Sequence, residues 1–163
     1  PFIKRWRESW GGSRKRMVFR KRKIEEMVRK RFGQPNNKDL AFAAAALYWA
    51  EGEKVDFGLS NSDPWMIALM IYCLKNIFFI DKQRIKASIR VYEDMNIAKC
   101  KEFWSKILGI RETEFKAVHV LKGRKSGKLK YGMCRIRVTK PADLLKELRC
   151  LRDILLAPIA QLG

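Results

Sequence analysis

Histidine is nearly absent from this sequence, and no two cysteines have the spacing of a metal-binding pair. His119 is the only histidine, which excludes a zinc site built from several histidines of one chain. The four cysteines occur singly, without a C-x-x-C pair, so they give a zinc site no support either. We therefore expect four reduced cysteines, partly buried in the core, and a packed histidine without a catalytic role.

Long apolar runs and complete nucleotide-binding motifs are also missing. The longest apolar stretch, MIALMIYCLKNIFFI, is interrupted by Lys75 and Asn76 and is too short for a membrane helix. Gly127 and Lys128 are followed by a leucine, so the phosphate-binding P-loop pattern is incomplete. We expect no membrane partner and no nucleotide, and we predict a soluble protein of the bacterial cytoplasm or an organelle interior. The start at proline instead of methionine is typical of a fragment.

Acidic residues are too few to balance the basic ones. The 163 residues contain 36 Lys and Arg against 17 Asp and Glu, a formal net charge of +19. Such a surplus opposes compaction by self-repulsion, and a polyanionic partner relieves it. Nucleic acid is the commonest partner of this kind, whereas the alternative is a solvated surface of an unusually basic protein. A hydrophobic content of 47% still predicts a folded core.

The sequence divides into a basic arm, one domain and a short tail. Residues 1–33 carry thirteen Lys and Arg against three acids and have apolar residues at helical spacing, which predicts a basic amphipathic helix. Residues 34–152 form a single domain, and the status of the tail 153–163 stays open. Periodicity predicts the order α-β-α-β-α-β-β-α, with residues 115–121 and 130–139 paired as a hairpin. This order indicates an α+β fold with a mixed or antiparallel sheet of about four strands.

The predicted strands carry an unusual number of cationic residues on one side. Ile85, Ala87, Ile89 and Val91 alternate with polar residues, so helices should cover one sheet face and leave the other basic. We expect that face and the nearby basic loop to contact DNA as a positively charged saddle. The candidate DNA-binding residues are Lys54, Arg84, Lys86, Ser88, Arg90, Tyr92, Arg124, Lys125, Tyr131, Arg135 and Arg137.

The segment AAAALYWAEGEK raises a separate question. Its alanines form a stripe of small side chains, which suits close packing of two helices, either within this chain or between two copies of it. Glu51 ends the predicted helix of residues 38–51, where the negative end of the helix dipole disfavours a carboxylate. A bound cation would reverse that preference.

These residues resemble the LAGLIDADG motif of homing endonucleases. In AAALYWAEG, Ala45, Leu47, Ala50, Glu51 and Gly52 match its second, fourth, seventh, eighth and ninth positions. Ala44, Ala46 and Trp49 depart from it. FGLSNSDPWMIALMIYCL is similar to the strand, turn and helix that follow the motif in the family, and YGMCRIRVTKPADLLKEL is similar to its last strand and helix. The likeness covers about residues 34–150, especially to small bacterial members with an LYW(G/A)EG motif.

The resemblance implies a DNA endonuclease with a homing-endonuclease-like fold. It implies Mg²⁺-dependent hydrolysis of phosphodiester bonds in duplex DNA, with Glu51 as the catalytic acid and with Glu51 and Ala50 at the metal. Because the sequence has one motif, two such acids require a homodimer, whose interface would contain Ala43, Ala46, Leu47 and Ala50. Lys128 and Lys130 are candidates for the lysine that assists catalysis in the family.

Two alternatives from other classes share the basic face. One is a LAGLIDADG-like DNA-binding protein or regulator that has lost cleavage, and the other is a binder of structured RNA. The role of Glu51 separates the first alternative from the endonuclease, and competition between duplex DNA and structured RNA separates the second.

Overall fold

The computed structural model describes residues 2–53, 55–125 and 127–160, with side chains from residue 13 onward. The chain falls into two units, Pro1–Asn36 and Asn37–Gly163. The first contains helix α1, Phe2–Phe32, and Gly33 follows its last residue. Its described side chains are exposed, including the apolar Met17, Phe19 and Met27. The predicted basic helix of the arm is therefore confirmed as a helix.

The second unit is an α+β domain whose predicted order of elements is confirmed. Asp63 caps the third helix by accepting hydrogen bonds from the backbone N–H groups of Trp65 and Met66, as the NSDP turn predicts. The last helix contains Pro158 and runs on through most of the segment predicted as a tail. The elements are α2 (Asn37–Glu51), β1 (Gly58–Asn61), α3 (Pro64–Asn76), β2 (Ile85–Tyr92), α4 (Ile97–Leu108), β3 (Val118–Leu121), β4 (Met133–Val138) and α5 (Ala142–Ala160).

The four strands of this unit form one open, mixed sheet in the order β1-β4-β2-β3. β4 is antiparallel to both of its neighbours, whereas β3 is parallel to β2. The predicted hairpin of residues 115–121 and 130–139 is therefore wrong, because β2 lies between β3 and β4. Alternation of apolar residues identified each strand correctly, but it carries no information about which strands are neighbours.

Connection lengths explain this topology. Helix α4 joins β2 to β3, and a crossover through a helix is the usual connection between parallel strands. The chain then passes over the end of β2 to reach β4. Two hydrogen bonds fix this passage, from Gly123 N–H to Glu93 Oε2 at 3.3 Å and from Lys125 N–H to Asp94 Oδ1 at 3.1 Å. The basic loop of residues 122–132 is thus a bridge across a strand end and not a hairpin turn.

The core lies between the sheet and the helices. Ala87, Ile89 and Val91 of β2 are buried together with alternate residues of β4, as the sequence pattern predicts. Trp104 of α4 is fully buried, and its indole N–H donates to the Tyr131 carbonyl at 2.8 Å. All four cysteines are free thiols; three are buried, and Cys150 is exposed. No helix among the described residues is long and apolar enough to cross a membrane.

Two glycines of this unit adopt the left-handed backbone conformation, but they differ in the space around them. Gly109 ends α4 with a φ of +63°, and Gly132 precedes β4 with a φ of +66°. A Cβ at Gly109 would meet nothing within 4 Å, whereas a Cβ at Gly132 would lie 2.3 Å from the Arg90 carbonyl oxygen. Gly132 therefore needs both the left-handed conformation and the absence of a side chain.

We predict that Gly132→Ala lowers the free energy of unfolding by at least about 2 kcal/mol, because strain and a backbone clash add. Gly109→Ala is the matched control, and it should lower the free energy by only about 1 kcal/mol, the cost of the left-handed conformation alone. Denaturant unfolding of the two variants measures both values. Equal losses would show that the chain at Gly132 moves freely away from Arg90.

Candidate nucleic-acid interface

The sheet face opposite the buried residues presents polar and cationic side chains in cross-strand rows. Residues in register on neighbouring strands point to the same face of a sheet. Arg137 lies beside Lys86, and Arg90 lies between Met133 and His119. His119 is exposed, so the expectation of a packed histidine is wrong. The rows are Ser60, Arg135 and Ser88; Gly58, Arg137 and Lys86; and Met133, Arg90 and His119. We call this surface the polar sheet face.

An ion pair with Glu53 fixes Arg135 in the middle of the polar sheet face. The guanidinium Nη2 lies 2.5 Å from Oε1 and 2.7 Å from Oε2 of Glu53. The Arg135 side chain is only 20% exposed. A Cβ at Gly58 would lie 2.7 Å from the Glu53 carboxylate, so glycine is what allows the carboxylate to reach over β1. Glu53 therefore holds the Arg135 guanidinium in one orientation.

A second ion pair holds Arg137. Its Nη2 donates to Asp56 Oδ2 at 2.6 Å, and Asp56 Oδ1 accepts from the Phe57 backbone N–H at 2.8 Å. The hydrogen bond from Arg137 is the main cause that lowers the pKa of Asp56 below its ordinary value. Both partners are partly exposed, so solvent screens the pair and its contribution to stability is small. Its effect is to orient the arginine.

The loop that carries both acids is anchored on helix α2 by Tyr48. The Tyr48 hydroxyl donates to the Glu53 carbonyl oxygen and lies 3.1 Å from the Asp56 carbonyl oxygen, and its ring stacks on Phe57 at a centroid distance of 4.9 Å. Burial is the main cause that raises the pKa of Tyr48. Tyr48 of the motif segment therefore positions the loop, the loop positions the two acids, and the acids position the two arginines of β4.

The other predicted DNA-binding residues have several different surroundings. Arg84 lies in a short 3₁₀ turn before β2, and its guanidinium donates to the carbonyl oxygens of Thr139 and Lys140. Tyr131 was expected to point outward with the arginines, but its ring stacks on Phe103 of α4 at 3.9 Å. That expectation is wrong, because Tyr131 precedes β4 and does not follow its alternation.

The basic loop and the end of β2 form a smaller cluster. Arg124 and Lys125 are exposed, and the Lys125 ammonium lies 5.6 Å from the centre of the Tyr92 ring, a cation–π distance. Lys86, Ser88 and the remaining β2 candidate Arg90 are half-buried on the polar sheet face. Lys54 lies outside the described residues.

Glu51 and Ala50 lie exposed at the C-terminal end of α2. No ion pair joins Glu51 to another described residue. Lys128 and Lys130 are exposed in the loop before β4, and the Lys130 ammonium lies 5.2 Å from the centre of the Tyr131 ring. No described contact brings either lysine to Glu51, so the structure of one chain does not assemble these candidates into one site.

The alanine stripe divides between burial and exposure. Ala44 and Ala45 are buried in the domain, where α2 packs against α5 and α3. The predicted interface residues Ala43, Ala46 and Leu47 are half-buried, and Ala50 is exposed. Packing within the chain therefore accounts for only part of the small-residue pattern.

Metal ligands are sparse in a single chain. Within the described residues, no group of three or more His, Cys, Asp or Glu side chains could hold a metal ion. Glu51 contributes one carboxylate at a helix end whose dipole attracts cations. Oxygen donors of this kind suit Mg²⁺, but one chain supplies too few of them.

Sequence reasoning missed the role of Tyr48, Glu53 and Asp56. Asp56 lies in the loop before β1 and pairs with Arg137. One feature of the sequence pointed to these ion pairs: several acids lie next to the motif helix α2, in a chain where acids are rare. Such a cluster of acids predicts ion pairs with arginines, but it does not identify the arginines that form them.

The ion pair between Arg137 and Asp56 makes a prediction about pH. Because the pKa of Asp56 is lowered, the pair stabilises the fold above the ordinary value of 3.8 and is lost as the pH falls through the lower folded-state value. We predict that Arg137→Gln raises the pKa of Asp56 toward 3.8, as NMR titration of its carboxyl measures. Arg135→Gln is the control with a smaller rise, since Arg135 has the weakest influence. An unchanged pKa in Arg137→Gln would contradict the pairing.

Known proteins provide no independent assignment for this chain. No protein-family model, no curated protein and no solved structure matches it. Its function therefore rests on the residues of the polar sheet face and of the motif helix.

Proposed function

We propose that the chain binds duplex DNA through the polar sheet face. The observation that carries the proposal is the register of β2 and β4, which places Lys86, Arg90, Arg135 and Arg137 on the side opposite the core. Four cations on this face outnumber the two acids, Glu53 and Asp56, that pair with them, and such an excess is not needed for solubility, which balanced charges serve better. It does suit a polyanion, since each cation that neutralises a phosphate also releases counterions.

The paired arginines suit direct contact with bases. The major groove admits a two-stranded ribbon, and an arginine whose guanidinium is already oriented can donate two hydrogen bonds to a guanine edge. Glu53 and Asp56 orient Arg135 and Arg137 in this way. Lys86 and Arg90, which form no ion pair with a described residue, suit contacts with phosphates, which position a protein without reading sequence.

We further propose that the chain is a LAGLIDADG-type homing endonuclease, acting as a Mg²⁺-dependent homodimer. Support comes from the motif-like segment and from its place in the fold. Glu51 ends α2 directly before Gly52, which bridges to Leu59 of β1, so the acid lies where the motif helix meets the edge of the sheet. The exposed part of the alanine stripe, including Ala43, Ala46 and Ala50, is available for a partner helix.

The proposed chemistry requires one Glu51 from each of two chains. Glu51, with the carbonyl oxygen of Ala50, would hold Mg²⁺, which supplies activation of water and stabilisation of the leaving oxygen during phosphodiester hydrolysis. Arg90 and Lys86 would hold the DNA backbone against the sheet, and the ion-paired arginines would fix its register. Lys128 and Lys130 remain candidates for assistance in this proposal.

DNA binding is tested first, without reference to cleavage. We predict that Arg90→Gln weakens binding of a duplex by about threefold to tenfold and reduces the slope of log affinity against log salt by about 1. Lys99→Gln removes the same charge from the exposed start of α4, and it should change the slope much less. Fluorescence anisotropy over a salt series measures both quantities. Equal effects of the two variants would mean that binding follows net charge and not the polar sheet face.

Cleavage is tested at the motif acid. We predict that the protein with Mg²⁺ cuts at least one sequence in a randomised duplex library and that Glu51→Gln abolishes cutting while leaving affinity within about twofold. Glu147→Gln, an exposed acid of α5, is the matched control and should cut normally. Sequencing of the cleaved ends is the readout. Tight, salt-sensitive binding without any cleavage would favour the DNA-binding regulator instead.

The two-acid site also requires a dimer on DNA. Sedimentation of the complex with a duplex should give two chains for each site, and Ala46→Glu should reduce it to one chain because a charge then enters the helix contact. A wild-type complex with a single chain would exclude the two-acid mechanism even if DNA binds.

A further inference from the structure

The domain contains a second cationic feature, a cleft on the other side of β2. Its volume is about 730 Å³, and it lies between the start of β2, the ends of α3 and α4, and the chain of residues 110–117. It exists because β3 first pairs with β2 at Val118 opposite Ile89, so the four residues of β2 before Ile89 have no strand neighbour on that side. Two backbone hydrogen bonds join β2 to the chain before β3, from Lys116 N–H to the Ala87 carbonyl at 2.8 Å and from Ile89 N–H to the Ala117 carbonyl at 3.1 Å.

Lysines dominate the rim of this cleft. Lys75, Lys82, Lys86 and Lys116 approach it from three different segments of the chain. None of the four forms an ion pair with a described residue. Four unpaired ammonium groups around one concave surface repel each other, and an anion bound between them removes that repulsion.

The one acid at the rim is already engaged elsewhere. Glu114 Oε2 accepts from the Arg111 backbone N–H at 2.7 Å and lies 3.4 Å from its Nε. The backbone hydrogen bond is the main cause that lowers the pKa of Glu114, and Lys82 contributes as a nearby charge. Glu114 therefore stays ionised and compensates only a part of the four positive charges.

The floor of the cleft is apolar. Ile71 and Leu108 are buried there, and Ile85, Ile110 and Phe115 are partly buried around them. The volume falls within the range of about 300–1,000 Å³ that is usual for small-molecule sites, which combine an apolar lining with a few polar groups. A ligand that fits both parts has a strongly charged end and a flat or apolar end.

Against the expectation of no nucleotide, we propose that this cleft binds a nucleoside monophosphate, with the phosphate among the rim lysines and the base on the apolar floor near Phe115. Lysine ammonium groups bind phosphate as point charges, and an aromatic ring offers a stacking surface to any base. The same group has two sources, a free mononucleotide or the 5′-phosphorylated end of a nucleic-acid strand. This site lies at the free edge of β2 and does not depend on duplex binding by the polar sheet face.

The test uses the full chain and four probes. Deoxythymidine monophosphate and thymidine separate the phosphate from the base, and a short single-stranded oligonucleotide with or without a 5′-phosphate separates the two sources. Titrations by NMR should move the backbone signals of Gln83, Thr113 and Phe115, and calorimetry gives the affinities. We expect the monophosphate to bind at least about tenfold more tightly than thymidine, since charge-assisted hydrogen bonds add only for the phosphate.

Matched variants decide whether the cleft is responsible. Lys82→Gln combined with Lys116→Gln should weaken monophosphate binding at least about tenfold. Lys99→Gln combined with Lys101→Gln removes the same charge from the far end of α4 and should change it less than about twofold. Lys86 is left intact because it also belongs to the polar sheet face. An unfolded double variant would be replaced by Thr113→Trp, which fills the cleft without changing charge and should abolish binding.

Each result of these binding measurements either supports or overturns the proposed nucleotide site. Preference for the 5′-phosphorylated oligonucleotide over the monophosphate assigns the site to strand ends, and the reverse assigns it to free nucleotides; both support the proposal. Absence of monophosphate binding, equal binding of thymidine, or equal losses in the two double variants would overturn it. Duplex binding measured with Arg90→Gln is a separate readout, so failure of the cleft and failure of the proposed function are distinguishable.

Discussion

The ion pair between Arg135 and Glu53 is the contact on which the proposed interface depends. It connects the central strand β4 to the loop after α2, and it places an acid above a cationic sheet face. Arg135 is mostly buried, and its Nε has no hydrogen-bond partner. A guanidinium in that position without Glu53 would be desolvated and uncompensated, which is costly. The loop therefore has to stay close to the sheet, and Tyr48 keeps it there.

Two of the few acids in this chain, Glu53 and Asp56, orient arginines of β4. On the proposed interface of a protein with a large cationic excess, carboxylates would compete with phosphates and so reduce non-specific attraction. Glu53 and Asp56 leave the side chains of Lys86 and Arg90 without such competitors. In the proposed interface, the two oriented arginines would favour selectivity, and Lys86 and Arg90, which form no ion pair with a described residue, would favour affinity.

The sequence predicted the elements of the fold well and their arrangement poorly. Helix ends at Asp63 and Gly109 follow from local backbone chemistry, and apolar alternation follows from burial, so both are readable from nearby residues. The hairpin error had another origin, because strand neighbours are set by connections and by contacts distant in sequence. Likewise, Arg135 was correctly placed on the outer face by alternation, but its pairing with Glu53 joins residues 82 positions apart. The partly exposed Ala43, Ala46 and Ala50 stay consistent with the predicted interface, which a single chain does not test.

The central position of β4 also determines how the domain can form. β1, β2 and β3 come earlier in the chain and run parallel to one another, yet β1 and β2 become connected only when β4 enters between them. During synthesis from the N-terminus, β1 therefore lacks its strand partner until β4 has emerged. A truncation before Met133 removes an inner strand of the sheet and not its edge, so β1 loses its strand partner and the sheet is divided.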